Sequence, residues 1–192
     1  MTILSAAARH PQPWVNGRGT TSQVIIWPHG STLATFGWRV SIADMVTESA
    51  FSALPGIDRT LVALAGGGIN LLIDGQAITL DPFDIARFSG DSVVSGGPRS
   101  AATHDLNLMV RRPHRATLQV FAEPQTHTLQ PRLGHTFVAI VADGTAELST
   151  TELSTVAEGQ KLALADAVLV SDTQAANIHS KSALILIDIC DD

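Results

Sequence analysis

The chain has 192 residues, of which 45% are hydrophobic and 16% are charged, and its formal net charge is −6. Disordered chains are more polar and more highly charged, so this composition indicates a folded protein large enough to bury a substantial core. The acidic balance argues against nucleic-acid binding, which needs a basic surface. No apolar run reaches the length of about eighteen residues that a membrane-spanning helix needs, so we expect no membrane partner.

The cysteine count and the N-terminal sequence both bear on localisation. Cys190 is the single cysteine, so no internal disulfide can form, as suits a reducing compartment. Residues 1–14 contain no continuous apolar segment followed by a small-residue cleavage site, so they do not resemble a secretory signal. We therefore predict a cytoplasmic protein.

Charge is distributed unevenly along the chain. Residues 1–115 carry nine basic and eight acidic side chains, whereas residues 116–192 carry three basic and ten acidic ones. Nine of the ten arginines lie in the first part. Because the planar guanidinium group suits carboxylates, this part is where a site for a small anion is expected, although most of these arginines are expected to be solvated.

Short apolar runs, broken by glycine, proline, serine or Asp-Gly pairs, recur about every ten residues. They lie at residues 24–27, 38–43, 60–65, 69–73, 106–110, 118–121, 136–142, 167–171 and 183–189. This pattern is typical of a β-sandwich or barrel and predicts an all-β fold. Asp74-Gly75 and Asp143-Gly144 are predicted hairpin turns, and residues 48–54 are at most a single helical turn.

A faint internal repeat suggests duplication. Shifting the sequence by 76 positions places Thr60, Val62, Ala63, Gly68 and Leu72 on Thr136, Val138, Ala139, Gly144 and Leu148. The strand order also agrees between the two copies, which favours duplication over coincidence. We predict two domains, 1–115 and 116–192, with a boundary in the proline-containing stretch 113–131. We also consider an exchange in which the N-terminal strand of the first domain pairs with the second domain.

Polar residues alternate with apolar ones on two predicted strands. Arg39, Ser41 and Ala43 share one face of a strand and Trp38, Val40 and Ile42 the other, since successive side chains point to opposite sides. Asp105, Asn107, Met109 and Arg111 share a face in the same way. Either these polar faces meet solvent, which the pattern alone favours slightly, or they line a cavity where arginine and asparagine bind a carboxylate or an amide.

Several motifs in fixed order resemble the HutD/Ves family. They are Trp14-x-Asn16-Gly17-x-Gly19-x-Thr21, Trp38-Arg39-x-Ser41-Ile42-Ala43, Phe51-Ser52-x-x-Pro55-Gly56-x-Asp58-Arg59, Phe88-x-Gly90-Asp91 and Asp105-x-Asn107-x-Met109-x-Arg111. The resemblance covers roughly residues 10–112. It implies a bicupin of two small cupin-like barrels or sandwiches (RmlC-like jelly rolls). It also implies a link to histidine utilisation, in which such proteins are thought to bind an intermediate and restrain the pathway.

The chain departs from the family pattern at two places. Ser22 and Gln23 stand where the family usually has Arg-Glu, and Ser49 and Ala50 stand where it usually has Gly-Pro. A change of ligand is expected if the Arg-Glu pair touches ligand in other members. The segment from Trp14 to Thr21 lacks the features of a nucleotide-binding loop and is better explained as a structural turn than as an anion site.

Neither metal binding nor catalysis is supported by the sequence. A metal cupin supplies two histidines from a His-x-His strand, a glutamate and a later histidine, and the seven histidines here contain no such pair. We therefore predict no metal and no cofactor. His104 beside Asp105 is a weak candidate for proton transfer, and Asp44 with Asp58 a weak candidate for a carboxylate pair.

The leading hypothesis is a regulatory protein that binds a small carboxylate such as urocanate or formylglutamate. Arg39, Arg59 and Arg111 are the candidate anion contacts, Asn107 and Ser41 the polar partners, and Trp38, Phe51, Phe88 and Met109 the apolar walls. One alternative is a metal-independent enzyme acting on a related acid. Another is a structural bicupin whose Arg–Asp pairs hold the fold together. A homodimer is also expected.

Overall fold

The structure is a computed structural model that describes residues 1–14, 16–150, 159–171 and 175–190, with Ala65 described in its backbone alone. The first ten strands are β1 Thr2–Leu4, β2 Gln12–Pro13, β3 Gly19–Trp27, β4 Trp38–Met45, β5 Ser49–Ala50, β6 Ile57–Gly66, β7 Ile69–Ile73, β8 Gln76–Leu80, β9 Ile85–Ser89 and β10 Val94–Pro98. The others are β11 Thr103–Arg111, β12 Arg115–Phe121, β13 Thr126–Leu129, β14 His135–Val141, β15 Ala146–Thr150, β16 Gln160–Leu162, β17 Ala167–Ser171, β18 Ala176–Ser180 and β19 Leu184–Cys190.

The predicted all-β class is confirmed. Every predicted apolar run lies on a strand and extends at most one residue beyond it, although several strands are longer than the run. The described helical element is one 3-10 turn, Ala6–Ala8. Residues 48–54 form no helix, because Ser49 and Ala50 pair with β10 and the amide of Phe51 donates to the carbonyl of Val94.

The chain divides into two compact units. One unit is Arg9–Pro113, and the other combines Met1–Ala8 with His114–Asp192. The first strand belongs to the second unit because β1 pairs antiparallel with β17. No described helix is long and apolar enough to cross a membrane.

The Arg9–Pro113 unit, called the N-terminal unit below, consists of two sheets. The larger has the strand order β2-β3-β4-β11-β6-β9 and the smaller β5-β10-β7-β8. Leu61 and Ala63 from the larger sheet share a buried cluster with Ile69, Leu71 and Leu80 from the smaller one. The two sheets therefore enclose a common core and form an open sandwich rather than a closed barrel.

The second unit, called the C-terminal unit, has a sheet ordered β1-β17-β14-β19-β12 and another ordered β13-β18-β15-β16. Its interior is an apolar cluster to which both sheets contribute. Ala139, Val168 and Val170 come from the larger sheet, and Leu148 and Ile178 from the smaller. This core is filled by aliphatic side chains of the kind that strands favour.

The two units repeat one strand plan. The order β9-β6-β11-β4 in the N-terminal unit corresponds to β17-β14-β19-β12 in the C-terminal unit, and β5-β10-β7-β8 corresponds to β13-β18-β15-β16. The sequence repeat falls on equivalent strands, since Thr60 lies in β6 and Thr136 in β14. The repeat predicted from the sequence thus reflects a repeated topology.

Turn chemistry explains two connections in the N-terminal unit. Asp74 and Gly75 join β7 to β8 with φ angles of 48° and 82°, the positive values that a two-residue hairpin turn requires. Gly19 begins β3, where a side chain would run into the backbone oxygen of Asp44 and the Trp14 ring. Glycine is needed there because the chain passes close to β4.

Candidate functional site

A cavity of about 560 Å³ opens within the N-terminal unit. Its described lining comes from β4, β6 and β11, together with the segments around residues 12–21, 33 and 49–54. Three of these lining residues are charged, namely Arg39, Arg59 and Asp105. The cavity therefore has a small number of charges set among mostly uncharged side chains.

Strand alternation brings the polar residues of β4 and β11 together. Arg39 and Ser41 of β4 lie opposite Met109 and Asn107 of β11 in the antiparallel register, and all four line the cavity. Asp105 lies two residues before Asn107 on the same face. Of the two explanations for these polar faces, the structure therefore shows the cavity-lining one.

Arg59 reaches the cavity from β6 and is held between two aromatic rings. Its guanidinium carbon lies 5.0 Å from the centre of the Phe51 ring and 5.1 Å from that of Phe88. The side chain is 6% exposed. Burial, joined by repulsion from Arg39 and opposed by Asp105, lowers the pKa of Arg59 to about 10, so the group stays cationic at neutral pH.

Arg59, Asn107 and Asp105 form a directional chain of hydrogen bonds. Nη2 of Arg59 donates to Oδ1 of Asn107 at 2.8 Å, and Nδ2 of Asn107 donates to Oδ2 of Asp105. Arginine can only donate, so it fixes the orientation of the amide, and the amide in turn fixes Oδ2 of Asp105 as an acceptor. We call these three residues the polar relay.

Asp105 ends the polar relay as a carboxyl group that is 1% exposed. Its Oδ1 has no hydrogen-bond partner within the described residues. Burial raises the pKa of Asp105 to about 7; Arg59 and the Asn107 hydrogen bond oppose this rise, and Asp44 adds to it. At neutral pH this carboxyl is therefore close to half-protonated.

Arg39 is half-buried, and its contacts are all with uncharged groups. Its Nε donates to Oε1 of Gln23 at 3.1 Å, its Nη1 donates to Oγ of Ser41 at 3.2 Å, and Nη1 lies 4.0 Å from Sδ of Met109. No ion pair joins it to an acidic side chain in the described part of the chain. Burial lowers the pKa of Arg39 from its usual value. A half-buried guanidinium without a counter-charge has the chemistry to bind an anion.

The walls of the cavity combine rings with small polar groups. Trp14 and Phe51 supply aromatic surface, and Nε1 of Trp14 donates to Oγ1 of Thr21 at 2.8 Å. Nδ2 of Asn16 donates to Oγ of Ser49 at 2.8 Å, which ties the turn before β3 to β5. The walls therefore present aromatic surface beside fixed polar groups.

Trp14 and residues 16–19 take part in a hydrogen-bonded turn, as the sequence indicated. The Trp14 amide donates to the Gly19 carbonyl, and the Gly17 amide donates to the Trp14 carbonyl, both at 2.9 Å. The Arg18 amide donates to Oδ1 of Asn16 at 3.0 Å. These amides are used within the turn, so they are not free to cradle an anion.

Three predicted contacts lie away from the cavity. Trp38 is on the opposite face of β4, where it is 1% exposed and stacks with Trp27 at 6.3 Å. Arg111 donates to the carbonyls of Phe36 and Ala34 at 2.7 and 3.1 Å. Phe88 is not part of the described lining but packs behind it against Arg59. The other predicted contacts, Arg39, Ser41, Phe51, Arg59, Asn107 and Met109, all line the cavity.

The weak catalytic candidates are separated in space. His104 and Asp105 are neighbours on one strand and point to opposite faces, so His104 lies outside the cavity and pairs with Asp44. Asp44 and Asp58 do not form a pair, because they lie opposite His104 and Val110, at the two ends of β11. Asp58 instead lies 3.8 Å from Arg112.

Sequence reasoning missed the contribution of residues before β3 and around β5. Gln12, Asn16, Ser49 and Leu54 line the cavity, yet they lie outside the alternating segments that carried the prediction. Trp14 and Asn16 belong to the first of the family motifs in the sequence, and that motif could have indicated a place in the site. They were assigned to a turn without a place in the site.

The residues present do not fit a cupin metal centre. The described lining offers one carboxylate, Asp105, together with neutral amide and hydroxyl oxygens, no histidine, and two guanidinium groups that would repel a cation. No group of three His, Cys, Asp or Glu side chains suited to a metal ion occurs in the described residues.

The chain is similar to curated proteins over about two thirds of its length. It is 41% identical over 123 residues to an uncharacterised 21.2 kDa protein in the hutC 3′ region of Pseudomonas putida, covering 63% of this chain and 64% of that one. It is 32% identical over 127 residues to protein Ves of Citrobacter koseri, covering 65% of each. The chain thus spans slightly less than two thirds of these relatives.

Solved structures match over nearly the whole chain. A conserved protein of unknown function from Pseudomonas aeruginosa PAO1 has a TM-score of 0.84 and 27% identity over 99% of this chain and 98% of that one. HutD from Pseudomonas fluorescens SBW25, in a formate condition, has a TM-score of 0.78 and 27% identity over 98% and 97%.

The cupin fold is also found among structural neighbours. A cupin 2 conserved barrel domain protein from Leptotrichia buccalis gives a TM-score of 0.58 at 9% identity over 91% of this chain and 89% of that one. This likeness shows the fold alone and confirms the predicted cupin class. The family model described as HutD matches residues 6–186. This chain therefore belongs to the HutD family.

Proposed function

We propose that this protein binds a small organic carboxylate in the cavity of its N-terminal unit and acts as a regulatory, non-catalytic protein associated with histidine catabolism. The proposed ligand is a pathway intermediate such as urocanate or formylglutamate. The observation that carries the proposal is Arg39, a half-buried cation that lines the cavity and contacts only neutral groups in the described chain.

Charge balance in the cavity supports an anionic ligand. Arg39 and Arg59 bring two positive charges, and Asp105 brings at most one negative charge because burial holds its pKa near 7. The cavity is thus electropositive in either protonation state of Asp105. Burial strengthens the attraction between these cations and an entering carboxylate, since solvent screening is weak inside the fold.

The size and walls of the cavity also support a small molecule. A volume of about 560 Å³ lies within the usual range of ligand pockets, which combine apolar surface with a few fixed polar groups. Trp14, Phe51 and Leu54 supply apolar surface, and Ser41 and Asn107 supply polar contacts. An imidazole acrylate such as urocanate has the required planar ring and single carboxylate.

The link to histidine utilisation is supported by relatives. The Pseudomonas putida relative is named for the hutC region, and the Pseudomonas fluorescens relative is named HutD and was solved in a formate condition. Formate is the simplest carboxylate and serves as a minimal probe of the site. A homodimer remains a prediction, which light scattering of the purified protein tests.

Thermal unfolding tests the proposal. A ligand at a hundred times its dissociation constant is expected to stabilise the protein by about 2.7 kcal/mol and to raise Tm by several degrees. We expect urocanate or formylglutamate to produce this shift and Arg39→Met to abolish it. Arg112→Met is the matched control, because Arg112 is an exposed arginine of the same unit that pairs with Asp91.

Two results would overturn the proposal. If no carboxylate of the pathway raises Tm up to millimolar concentration, the cavity does not bind this class of ligand. If either compound is instead turned over steadily by the wild-type protein and not by Arg39→Met, the protein is an enzyme. Loss of the shift in Arg112→Met as well would indicate a general effect on folding.

A further inference from the structure

We infer that an anion entering the cavity is bound together with a proton, which Asp105 takes up from solution. The inference rests on the proposed function and specifies how the same site is regulated. In the overall step the free anion, one proton from bulk water and the ionised Asp105 carboxylate become a bound anion beside a neutral Asp105 carboxyl group. The extent of coupling is set by the fraction of Asp105 that is ionised beforehand.

The position of Asp105 supports this coupling. It lines the same cavity as Arg39 and Arg59, so an anion held by these cations lies close to the Asp105 carboxyl. The carboxyl is 1% exposed and receives one described hydrogen bond, from Asn107, while its second oxygen has none. Its negative charge is therefore poorly solvated before any ligand arrives.

The surrounding charges decide the direction of the effect. Arg59 on β6 and the Asn107 hydrogen bond favour the ionised carboxyl, and Asp44 on the opposite face of β4 disfavours it. Asn107 and Met109, the neighbouring cavity residues of β11 itself, are uncharged. A bound anion offsets the positive charge of the two arginines and adds a like charge, so both effects favour a neutral Asp105.

In the free protein Asp105 changes its protonation state near neutral pH, because burial raises its pKa to about 7. A further upward shift on binding means that affinity is pH-dependent. Below the pKa of the free state Asp105 is neutral and anion affinity is highest. Between this pKa and the higher pKa of the bound state, binding of an anion also draws a proton from solution, so affinity falls by up to tenfold per pH unit.

Calorimetry with formate tests the inference on the wild-type protein. A carboxylate of ordinary pKa stays ionised above pH 6, so only the protein contributes to proton uptake. Titrations at pH 7.5 in HEPES and in Tris, which differ in ionisation enthalpy and contain no small buffer anion to compete with formate, give the number of protons bound. We expect between half a proton and one proton per formate, and at least a fivefold weaker affinity at pH 8 than at pH 6.

The variant Asp105→Asn provides the second measurement. Asparagine keeps an acceptor for Asn107 and mimics the neutral carboxyl, so affinity should match the low-pH wild-type value and stay constant from pH 6 to 8. Asp44→Asn is the matched control, because it removes a carboxylate from the opposite face of β4 and should retain the pH dependence, with its midpoint shifted down.

The possible results separate the two proposals. Formate binding without proton uptake and with constant affinity overturns this inference and leaves the proposed function standing. An unchanged pH dependence in Asp105→Asn assigns the proton to another group and also overturns it. Absence of formate binding at every pH counts against the proposed function, and the inference fails with it. The wild-type measurement stands even if Asp105→Asn does not fold.

Discussion

Arg59 on β6 donates a hydrogen bond to Asn107 on β11, with 2.8 Å between Nη2 and Oδ1, and this contact determines which way the Asn107 amide faces. The amide then presents Nδ2 to Asp105. A flipped amide would leave Arg59 facing a donor and Asp105 facing an acceptor. The three side chains therefore act as one unit, and a change to any one of them is expected to affect the other two.

Asp105→Asn should stabilise the protein more at pH 8 than at pH 5. Asp105 keeps its proton in the fold up to pH 7, whereas in the unfolded chain it loses the proton near its ordinary value, so this group lowers stability as pH rises through that window. The neutral variant lacks this loss. We expect the change in unfolding free energy to be more favourable by roughly 2–3 kcal/mol at pH 8 than at pH 5.

Denaturant unfolding of wild type and variant at both pH values measures this difference. A variant effect that is the same at pH 5 and pH 8 would show that Asp105 is ionised in the fold throughout this range. The comparison is made before any ligand is added.

Asn107→Leu should destabilise the protein by about 2–4 kcal/mol, because it leaves two buried charged groups without their shared partner. Asn70→Ala serves as the control, since Asn70 is exposed and its described side-chain partner is Thr79. That change should have an effect below about 0.5 kcal/mol. Equal effects of the two substitutions in urea unfolding would contradict the relay.

Stacking of Phe88 on Arg59 should appear as a coupling energy. A double-mutant cycle with Phe88→Leu and Arg59→Met is expected to give about 0.5–2 kcal/mol, the range for a desolvated cation over a ring. The same cycle with Arg99→Met in place of Arg59→Met should give a value near zero, because Arg99 pairs with Asp81 elsewhere. A coupling energy of zero in the first cycle would mean that the Phe88 ring fills space without stabilising the Arg59 guanidinium.

Gly19→Ala should be more harmful than Gly17→Ala, although both lie in one turn. An added methyl group at Gly19 meets the Asp44 backbone oxygen and the Trp14 ring, whereas at Gly17 it meets open space. Gly17 has a φ of 69°, so alanine there should cost about 1 kcal/mol in strain, against roughly 2–4 kcal/mol for the clash at Gly19. Urea unfolding measures both, and the reverse order would contradict the close approach to β4.

The sequence predicted the strands and much of the cavity, because both depend on alternation. Arg39 and Ser41 share one face of β4, and Asp105 and Asn107 share one face of β11, so strand geometry alone groups them. Alternation does not say which face turns inward. That choice depends on the order of strands in the sheets and on the facing sheet, neither of which alternation reveals.

Two residues that were predicted to line the cavity and do not, Trp38 and Arg111, also show what strand alternation leaves undetermined. The sequence analysis predicts Trp38 in the cavity wall, although strand alternation puts its side chain on the face of β4 opposite Arg39. Arg111 lies on the same face of β11 as Asp105 and Asn107 by alternation, but its guanidinium donates to the carbonyls of Phe36 and Ala34. The connection between β3 and β4 that supplies these carbonyls has no regular pattern, so its path was not predictable from the chain.

Because the two units repeat one strand plan, equivalent positions in the two units can be compared directly. Ala63 of β6 lies opposite Asp105, and Ala139, 76 positions later on β14, lies opposite Leu186. Where the first copy carries an ionisable group, the second carries an aliphatic one that packs on its apolar cluster. One architecture therefore accommodates both a charged and an aliphatic residue at equivalent strand positions, so the strand plan by itself does not require an acid at position 105.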